Sequence, residues 1–238
     1  MKGILVIVNY NQSREIASFL DAARRNFPVE HAVFVDDGST DGSDRMAEEA
    51  GFKVLRHERN RGVGAAIRTG LLHGKALGYE WALISSSNGK IRPEEYSRVY
   101  SHVAEGRADY VTGSRYMRGG GSPGLSAFRR LAIPIFSLGA SVLLGKFFSD
   151  ITCGFRAYTL RLLDDPEVDA NQAWLDRYEL EYYLHYKAVR TKRYRILQVP
   201  VTIPYTHIAR GRKSKIRPIV DWWSMIRPFV LLTLRIRR

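Results

Sequence analysis

Cysteine is nearly missing from this chain of 238 residues, with Cys153 standing alone. A lone thiol excludes an internal disulfide framework and a multi-cysteine zinc site. Long apolar runs are missing too: no uninterrupted one reaches the roughly 18 residues that a spanning helix needs. Met1-Lys2-Gly3 and the short apolar run behind it lack the h-region and cleavage site of a signal peptide. Acid is scarce, with 24 Asp and Glu against 37 Lys and Arg, a formal balance of +13. That excess favours anionic partners such as phosphates, nucleic acid or an acidic membrane surface. Neither an internal repeat nor a low-complexity linker is visible, and a chain that is 45% hydrophobic can bury a substantial core. These features predict one large domain in a protein that is intracellular, either soluble or peripheral.

Gly3 to Asn9 is a continuous apolar run and predicts a buried parallel strand. Ser13 to Arg25 carries Ile16, Phe19, Leu20 and Ala23 on one helical face. Further strands are expected at His31–Val35, Lys53–Arg56, Glu80–Ile84 and Asp109–Thr112. Helices are expected at Asp41–Ala50, Gly62–Leu77 and Pro93–Ala104. Alternation of strands and helices predicts an α/β fold with a mostly parallel sheet flanked by helices. In such sheets ligands sit at the carboxyl ends of the strands. The loops there, Asn9–Gln12, Asp36–Asp41, Asn60–Gly64, Ser85–Lys90 and Gly113–Gly121, are the polar, glycine-rich ones. The second half offers an apolar helix at Leu125–Phe148 broken by Pro134, a Tyr-rich helix at Trp174–Val189 and a strand-like run in Tyr194–Pro204. A basic loop at Arg210–Lys215 and a terminal helix from about Ile216 complete it. The main domain is therefore expected over residues 1–215, with 216–238 as an amphipathic C-terminal helix.

Asp36 and Asp37 stand side by side at a strand end, where paired carboxylates are costly without hydrogen-bond donors or a ligand. Ser39, Thr40 and Asp41 suit a helix N-cap, which accounts for Asp41 but not for the pair. The alternative is that the pair accepts donors from a base or a ribose.

The motif does not stand alone. VIVNYNQ, VDDGSTDGS, NRGVGAAIRTG and GSRYMRGGG follow strands one, two, three and five, and GFRAY (Gly154–Tyr158) and GRKSK (Gly211–Lys215) continue the series. In order and spacing the chain resembles the family 2 glycosyltransferases of GT-A fold, in particular the branch of dolichyl-phosphate mannose synthases and bacterial polyprenyl-phosphate sugar transferases. The resemblance runs from about Ile4 to Ile216. It implies transfer of a sugar from a nucleotide-sugar to a polyprenyl phosphate, with inversion at the anomeric carbon.

By position, the resemblance puts Asn9, Tyr10 and Gln12 at the nucleotide pocket, with Val8 and Gln12 replacing the usual Pro and Glu. Asp37 matches the carboxylate that holds the nucleoside, and Asp36 lies beside it. Arg61, Gly62 and Gly64 would line the diphosphate, helped by Arg68; the plainer reading of those glycines is a tight turn packed on a helix. Where the family has an Asp-x-Asp metal motif this chain has Ser86-Ser87-Asn88, with Lys90 in place of Gln. Mg²⁺ and Mn²⁺ prefer carboxylate oxygens, and Asn88 offers a neutral carbonyl at best. No cofactor is therefore expected to be required, a divalent metal would be weakly held, and Lys90 could take over part of its work on the departing diphosphate. Loss of activity with the metal site, a pseudoenzyme, is the alternative.

Ser114, Arg115 and Arg156 match the acceptor-phosphate side, and arginine suits phosphate because its planar fork binds it bidentately. Lys215 would reach the phosphates from the closing loop, supported by Arg210 and Arg212. Glu179 and Glu181 both fit an acid that the family carries near the acceptor loop. Cys153 reads as packed, and His185 and His207 as structural. No general base is needed, because a phosphate monoester is mostly a dianion near neutral pH. A nucleic-acid-binding protein is disfavoured, since the basic residues sit among strand-end glycines and no such motif is visible; transfer to a soluble or glycan acceptor stays as an alternative. The expected partners are thus a nucleotide-sugar, a polyprenyl phosphate and an anionic membrane surface at the cytoplasmic face. Residues 125–148 and 216–238, apolar beside arginines, would lie in the headgroup region, or else the terminal helix packs on the sheet or on a second subunit.

Overall fold

Gly3–Asn9 (β1) is apolar at every central position because both of its faces are covered. Ile4, Val6 and Val8 enter one hydrophobic core, and Leu5 and Ile7 enter the other. Around it the chain forms α1 (Ser13–Asn26), β2 (Ala32–Asp36), α2 (Ser43–Glu49), β3 (Lys53–Arg56), α3 (Val63–Ala76) and β4 (Trp81–Ser86). α4 (Tyr96–Ala104), β5 (Tyr110–Ser114), α5 (Ala127–Leu144), β6 (Arg156–Thr159), α6 (Glu179–Arg190), β7 (Ile196–Pro200) and α7 (Val220–Thr233) follow. The computed structural model describes residues 1–205 and 220–237. The boundary expected at residues 215 and 216, the basic loop, Lys215, Arg210, Arg212 and His207 lie outside the described residues.

The seven strands are ordered β3-β2-β1-β4-β6-β5-β7, and all neighbours are parallel except those of β6. α1, α2 and α4 cover one face, and α3, α5, α6 and α7 cover the other. This is the mostly parallel α/β sheet expected of the GT-A fold. The strand missing from the sequence reading is β6. It is four residues long and opens on a buried arginine, so neither hydropathy nor length marks it as a strand. Because it runs against β4 and β5, its first residue pairs with Ile84 and Thr112 near their carboxyl ends. The loop before β6 therefore joins the loops after β1, β2, β4 and β5 on one edge of the sheet.

α3 is helical despite its glycines because they mark close approaches. A Cβ on Gly70 would lie 2.3 Å from Val6 Cγ1, and one on Gly64 would lie 2.1 Å from the Leu175 carbonyl. Two expected helices begin with a 3-10 turn instead, at Pro93–Glu95 and Ala173–Leu175. His185 is enclosed in the core against the rings of Phe148 and Tyr110, and burial holds its pKa well below the ordinary value, so it is a neutral, structural group.

The terminal helix packs on the domain along one side. Phe229 and Leu232 are buried against α6, and the Glu179 carboxylate accepts from Ser224 Oγ at 2.5 Å and pairs with Arg227 at 2.6 Å. Glu179 is buried, so removing its cation leaves a charge without compensation. Arg227→Ala is expected to destabilise the protein by on the order of 3 kcal/mol, read as a lowered midpoint in urea with an unchanged slope.

Candidate active site

The edge of the sheet is tied together by one amide. Asn9 is the last residue of β1, 3% exposed, and its Nδ2 donates to Asp36 Oδ1 at 2.7 Å, Ser43 Oγ at 2.8 Å and Ser39 Oγ at 3.1 Å. Its Oδ1 accepts from Ser87 Oγ at 2.6 Å, just past β4. Asp36 also accepts from the Ser39 amide at 2.9 Å and its hydroxyl at 2.5 Å. Asp37 serves the next loop. Its carboxylate accepts from His57 Nδ1 at 2.7 Å, from the Arg61 amide at 2.9 Å and from the Gly62 amide at 2.8 Å. His57 Nε2 in turn shares a hydrogen bond with Thr69 Oγ1 on α3 at 2.9 Å.

Asn9, Asp36 and Asp37, expected at the nucleotide, are held by the protein's own donors, as burial of carboxylates demands. Gly62 is held in the same way. Its amide faces Asp37, it adopts φ +112°, and a Cβ there would lie 2.4 Å from the Asp176 carbonyl. Arg68 pairs with Asp176 and donates to the Ala170 carbonyl, which takes it away from any diphosphate. Tyr10 and the Arg61 side chain stay exposed at the mouth of these loops, with Gln12 partly so and donating to the Tyr10 carbonyl. No sequence signal pointed to His57, Ser43 or Ser87.

The turn after β4 closes on itself. Asn88 Oδ1 accepts from Ser86 Oγ at 3.0 Å and from the Lys90 amide at 3.1 Å, so its carbonyl is not offered to a nucleotide. A divalent metal does not fit this donor set. Residues 85–91 hold no carboxylate, the one side-chain amide oxygen already accepts two hydrogens, and the charged group in the turn is the ammonium of Lys90. Lys90 is half-buried, with Nζ 5.4 Å from the centre of the Tyr205 ring. Burial, then the charges of Arg129 and Arg115, push its pKa below the ordinary lysine value. Among the described residues no carboxylate lies within ion-pair distance of it.

Arg115, at the end of β5, holds Asp150 bidentately, with Nε–Oδ2 at 2.6 Å and Nη2–Oδ1 at 2.7 Å. Nη2 also reaches Thr152 Oγ1, and Nη1 reaches the Tyr205 hydroxyl. Both partners are buried, and one Nη1 hydrogen is left over. The fork expected to hold phosphate is thus engaged by Asp150, Thr152 and Tyr205 in all but one of its hydrogens among the described residues. Arg156 goes further: 2% exposed, it donates to the carbonyls of Cys153 at 2.9 Å, Glu181 at 2.7 Å and Ile151 at 2.9 Å. It shapes the loop before β6 and reaches no open surface. Ser114 shares its hydroxyl with Ser149 at 2.7 Å and takes the Tyr116 amide, so it too is internal.

The structure separates the two glutamates. Glu179 belongs to the α7 contact, whereas Glu181 lies against the loop before β6: a Cβ on Gly154 would come within 2.9 Å of its Oε1. Burial raises the Glu181 pKa, opposed by the charge of Arg156. Cys153 is a packed thiol pushed up to about 12 by burial. Asp150 carried a usable sequence signal, being the one acid between Asp109 and Asp164 in a stretch rich in arginine.

A family model described as glycosyl transferase family 2 matches residues 4–165. The chain is 28% identical over 222 residues to undecaprenyl-phosphate mannosyltransferase of Micrococcus luteus, covering 90% of this chain and 88% of that one. It is 28% identical over 217 residues to polyprenol monophosphomannose synthase of Mycolicibacterium smegmatis, covering 89% and 80%. With a UDP-N-acetylglucosamine–dolichyl-phosphate N-acetylglucosaminyltransferase of Methanococcus voltae it shares 25% over 229 residues, covering 89% of each. Among solved structures, glucosyl-3-phosphoglycerate synthase from Mycobacterium tuberculosis, in complex with Mn²⁺, UDP-glucose and phosphoglyceric acid, superimposes with a TM-score of 0.67 at 17% identity. That match covers 100% of this chain and 81% of that one, and it shows the fold.

The buried pair gives a direct test. Arg115→Ala is expected to lower stability by about 3–5 kcal/mol, because Asp150 is left charged and enclosed. Adding Asp150→Asn should recover part of that loss. Denaturant titration of both variants checks this, and a double variant no more stable than the single one would show that Asp150 is not the group at stake.

Proposed function

The chain belongs to glycosyl transferase family 2, and on that premise we propose that it moves a sugar from a nucleotide-sugar to a polyprenyl phosphate, inverting the anomeric carbon, at the cytoplasmic surface of a membrane. The observation that supports this reading is that Lys90 and Arg115 lie over the Tyr205 ring, the charge of Arg129 acts on both Lys90 and Tyr205, and Lys90 has no ion-pair partner among the described residues. A cation with no acid paired to it among the described residues, set beside two further cations, suits an anion. The relatives support a phosphate acceptor: two of their names give mannose and one N-acetylglucosamine, but all three give an undecaprenyl, polyprenol or dolichyl carrier.

Such an acceptor brings its own nucleophile. A phosphate oxygen of the dianion forms the new bond to the anomeric carbon while the bond from that carbon to the donor diphosphate breaks. The electron pair leaves with the nucleoside diphosphate, and no proton needs to be removed. The protein must hold two anions close together and stabilise the one that departs. Lys90 is the candidate for the departing diphosphate, and Arg129 with the spare Nη1 hydrogen of Arg115 for the acceptor. Arg156 and Ser114 act as positioning residues behind them, and Lys215 is retained as a phosphate cation from its motif. Asp36, Asp37 and Asn9 act through the loops they hold, leaving Tyr10 and Arg61 to face the nucleotide. In this reading Ser86-Ser87-Asn88 is a degenerate Asp-x-Asp motif, and no step is routed through a metal.

The test is a panel of nucleotide-sugars with a short-chain polyprenyl phosphate, the product being read by mass spectrometry. Transfer to the lipid phosphate is expected; transfer only to soluble sugars would overturn the acceptor. With the active donor, a chelator should leave most of the turnover, whereas complete loss restored by Mn²⁺ would overturn the metal-free reading. Lys90→Ala should lower kcat by about 100-fold with little change in KM for the donor, because its charge matters most as the diphosphate departs.

A further inference from the structure

The outer face of α5 is apolar. Phe128, Leu131, Ile135, Leu138 and Val142 follow one another at three- and four-residue steps and are 62%, 69%, 63%, 59% and 75% exposed. That spacing puts them on one stripe of the helix. The opposite side, with Ser137, Ala140, Ser141 and Leu144, is buried, and Phe136 meets the rings of Tyr182 on α6 and Phe229 on α7. By length and composition α5 could cross a membrane. A helix fastened along one side to its own domain lies along a surface instead.

The charges on the segment that carries the stripe are of one sign. From Arg115 to Ser149 there is no Asp or Glu, while Arg118, Arg129, Arg130 and Lys146 flank the helix at its two ends. An apolar stripe framed only by cations matches a bilayer with anionic headgroups. A second copy of the chain fits it less well, because it would bring the same acid-free, basic surface against itself.

We propose, building on the polyprenyl-phosphate reading, that the outer face of α5 is the docking surface for an anionic lipid bilayer, lying at the headgroup level with its apolar stripe in the acyl boundary. The inner face of the same helix explains why this helix serves the site. Ser137 Oγ accepts from the Ile151 amide at 3.1 Å, and Ser141 Oγ accepts from the Phe148 amide at 2.9 Å. Asp150, which holds Arg115, sits between those two anchors. The helix that meets the lipid thus also fixes the loop behind the acceptor cations, and Arg129 in its first turn stands beside Lys90. A lipid-borne phosphate would reach these cations at the depth where headgroup phosphates lie.

The experiment is flotation of the full chain with vesicles of phosphatidylcholine alone or of equal parts phosphatidylcholine and phosphatidylglycerol, at low and high salt. The wild type is expected to float with the anionic vesicles and to be weakened by salt. The variant Leu131→Glu/Leu138→Glu/Val142→Glu should partition at least about tenfold less, with an unchanged melting temperature. If it does not fold, Val142→Glu alone, at the most exposed position, should show a smaller loss in the same direction. A wild type that stays at the bottom of the gradient, or a folded variant that floats equally well, overturns the proposal. So does a wild-type dimer that the substitutions turn into a monomer while neither binds vesicles. Turnover with a water-soluble short-chain prenyl phosphate should be equal in both proteins. Loss of that turnover in both, with vesicle binding intact in the wild type, would refute the acceptor reading and leave the docking surface standing.

Discussion

The buried amide of Asn9 is the constraint on which the rest of the edge depends. Four loops must meet at the carboxyl ends of parallel strands, and each arrives with backbone and side-chain polar groups that water cannot reach. Asn9 offers both a donor and an acceptor from one rigid strand end, so it can face Asp36 and Ser43 on one side and Ser87 on the other. Asp36 and Asp37 then divide the work, one closing the loop toward α2 and the other capturing the amides that lead into α3. A satisfied network of this kind is stiff, because every member that moves leaves a buried partner unpaired.

The basic excess divides along the same line between groups that build the edge and groups that face out from it. Arg68, Arg156 and most of Arg115 are occupied by carbonyls and carboxylates of the chain itself. Lys90 has no such partner among the described residues. Net charge alone therefore overstates how many cations a ligand would meet.

The secondary structure of the first half was readable because covered parallel strands must be apolar throughout and their helices must be amphipathic; β1 and β3 fall where the pattern puts them. β6 was not readable, since its antiparallel course and buried arginine follow from the tertiary neighbours Ile84 and Thr112. The loops that form the site were also readable, as polar glycine-rich segments at strand ends. The direction of each side chain within them was not. Arg115 and Arg156 lie in similar surroundings of glycine, aromatic and small residues, yet one grips a carboxylate and the other three backbone carbonyls. Nothing local to Asp37 says that His57, 20 residues on, occupies the oxygen that a ligand was expected to use.

Lys90 brings these strands of the argument together. Its turn is held by Asn88, its side chain is half-buried, and the charges of Arg129 and Arg115 act on it. Burial first, and then those two charges, raise the energy of the charged lysine, which is why its pKa falls. A diphosphate entering beside it would reverse the balance, since the same low-dielectric surroundings that penalise a lone cation strengthen its attraction to an anion. The attraction grows further as negative charge collects on the departing oxygen, so the group that is costly at rest becomes most favourable at the moment of bond breaking. A metal held by carboxylates would reach the same end by another route; the half-buried Lys90, with no carboxylate at ion-pair distance among the described residues, is the route proposed for this chain.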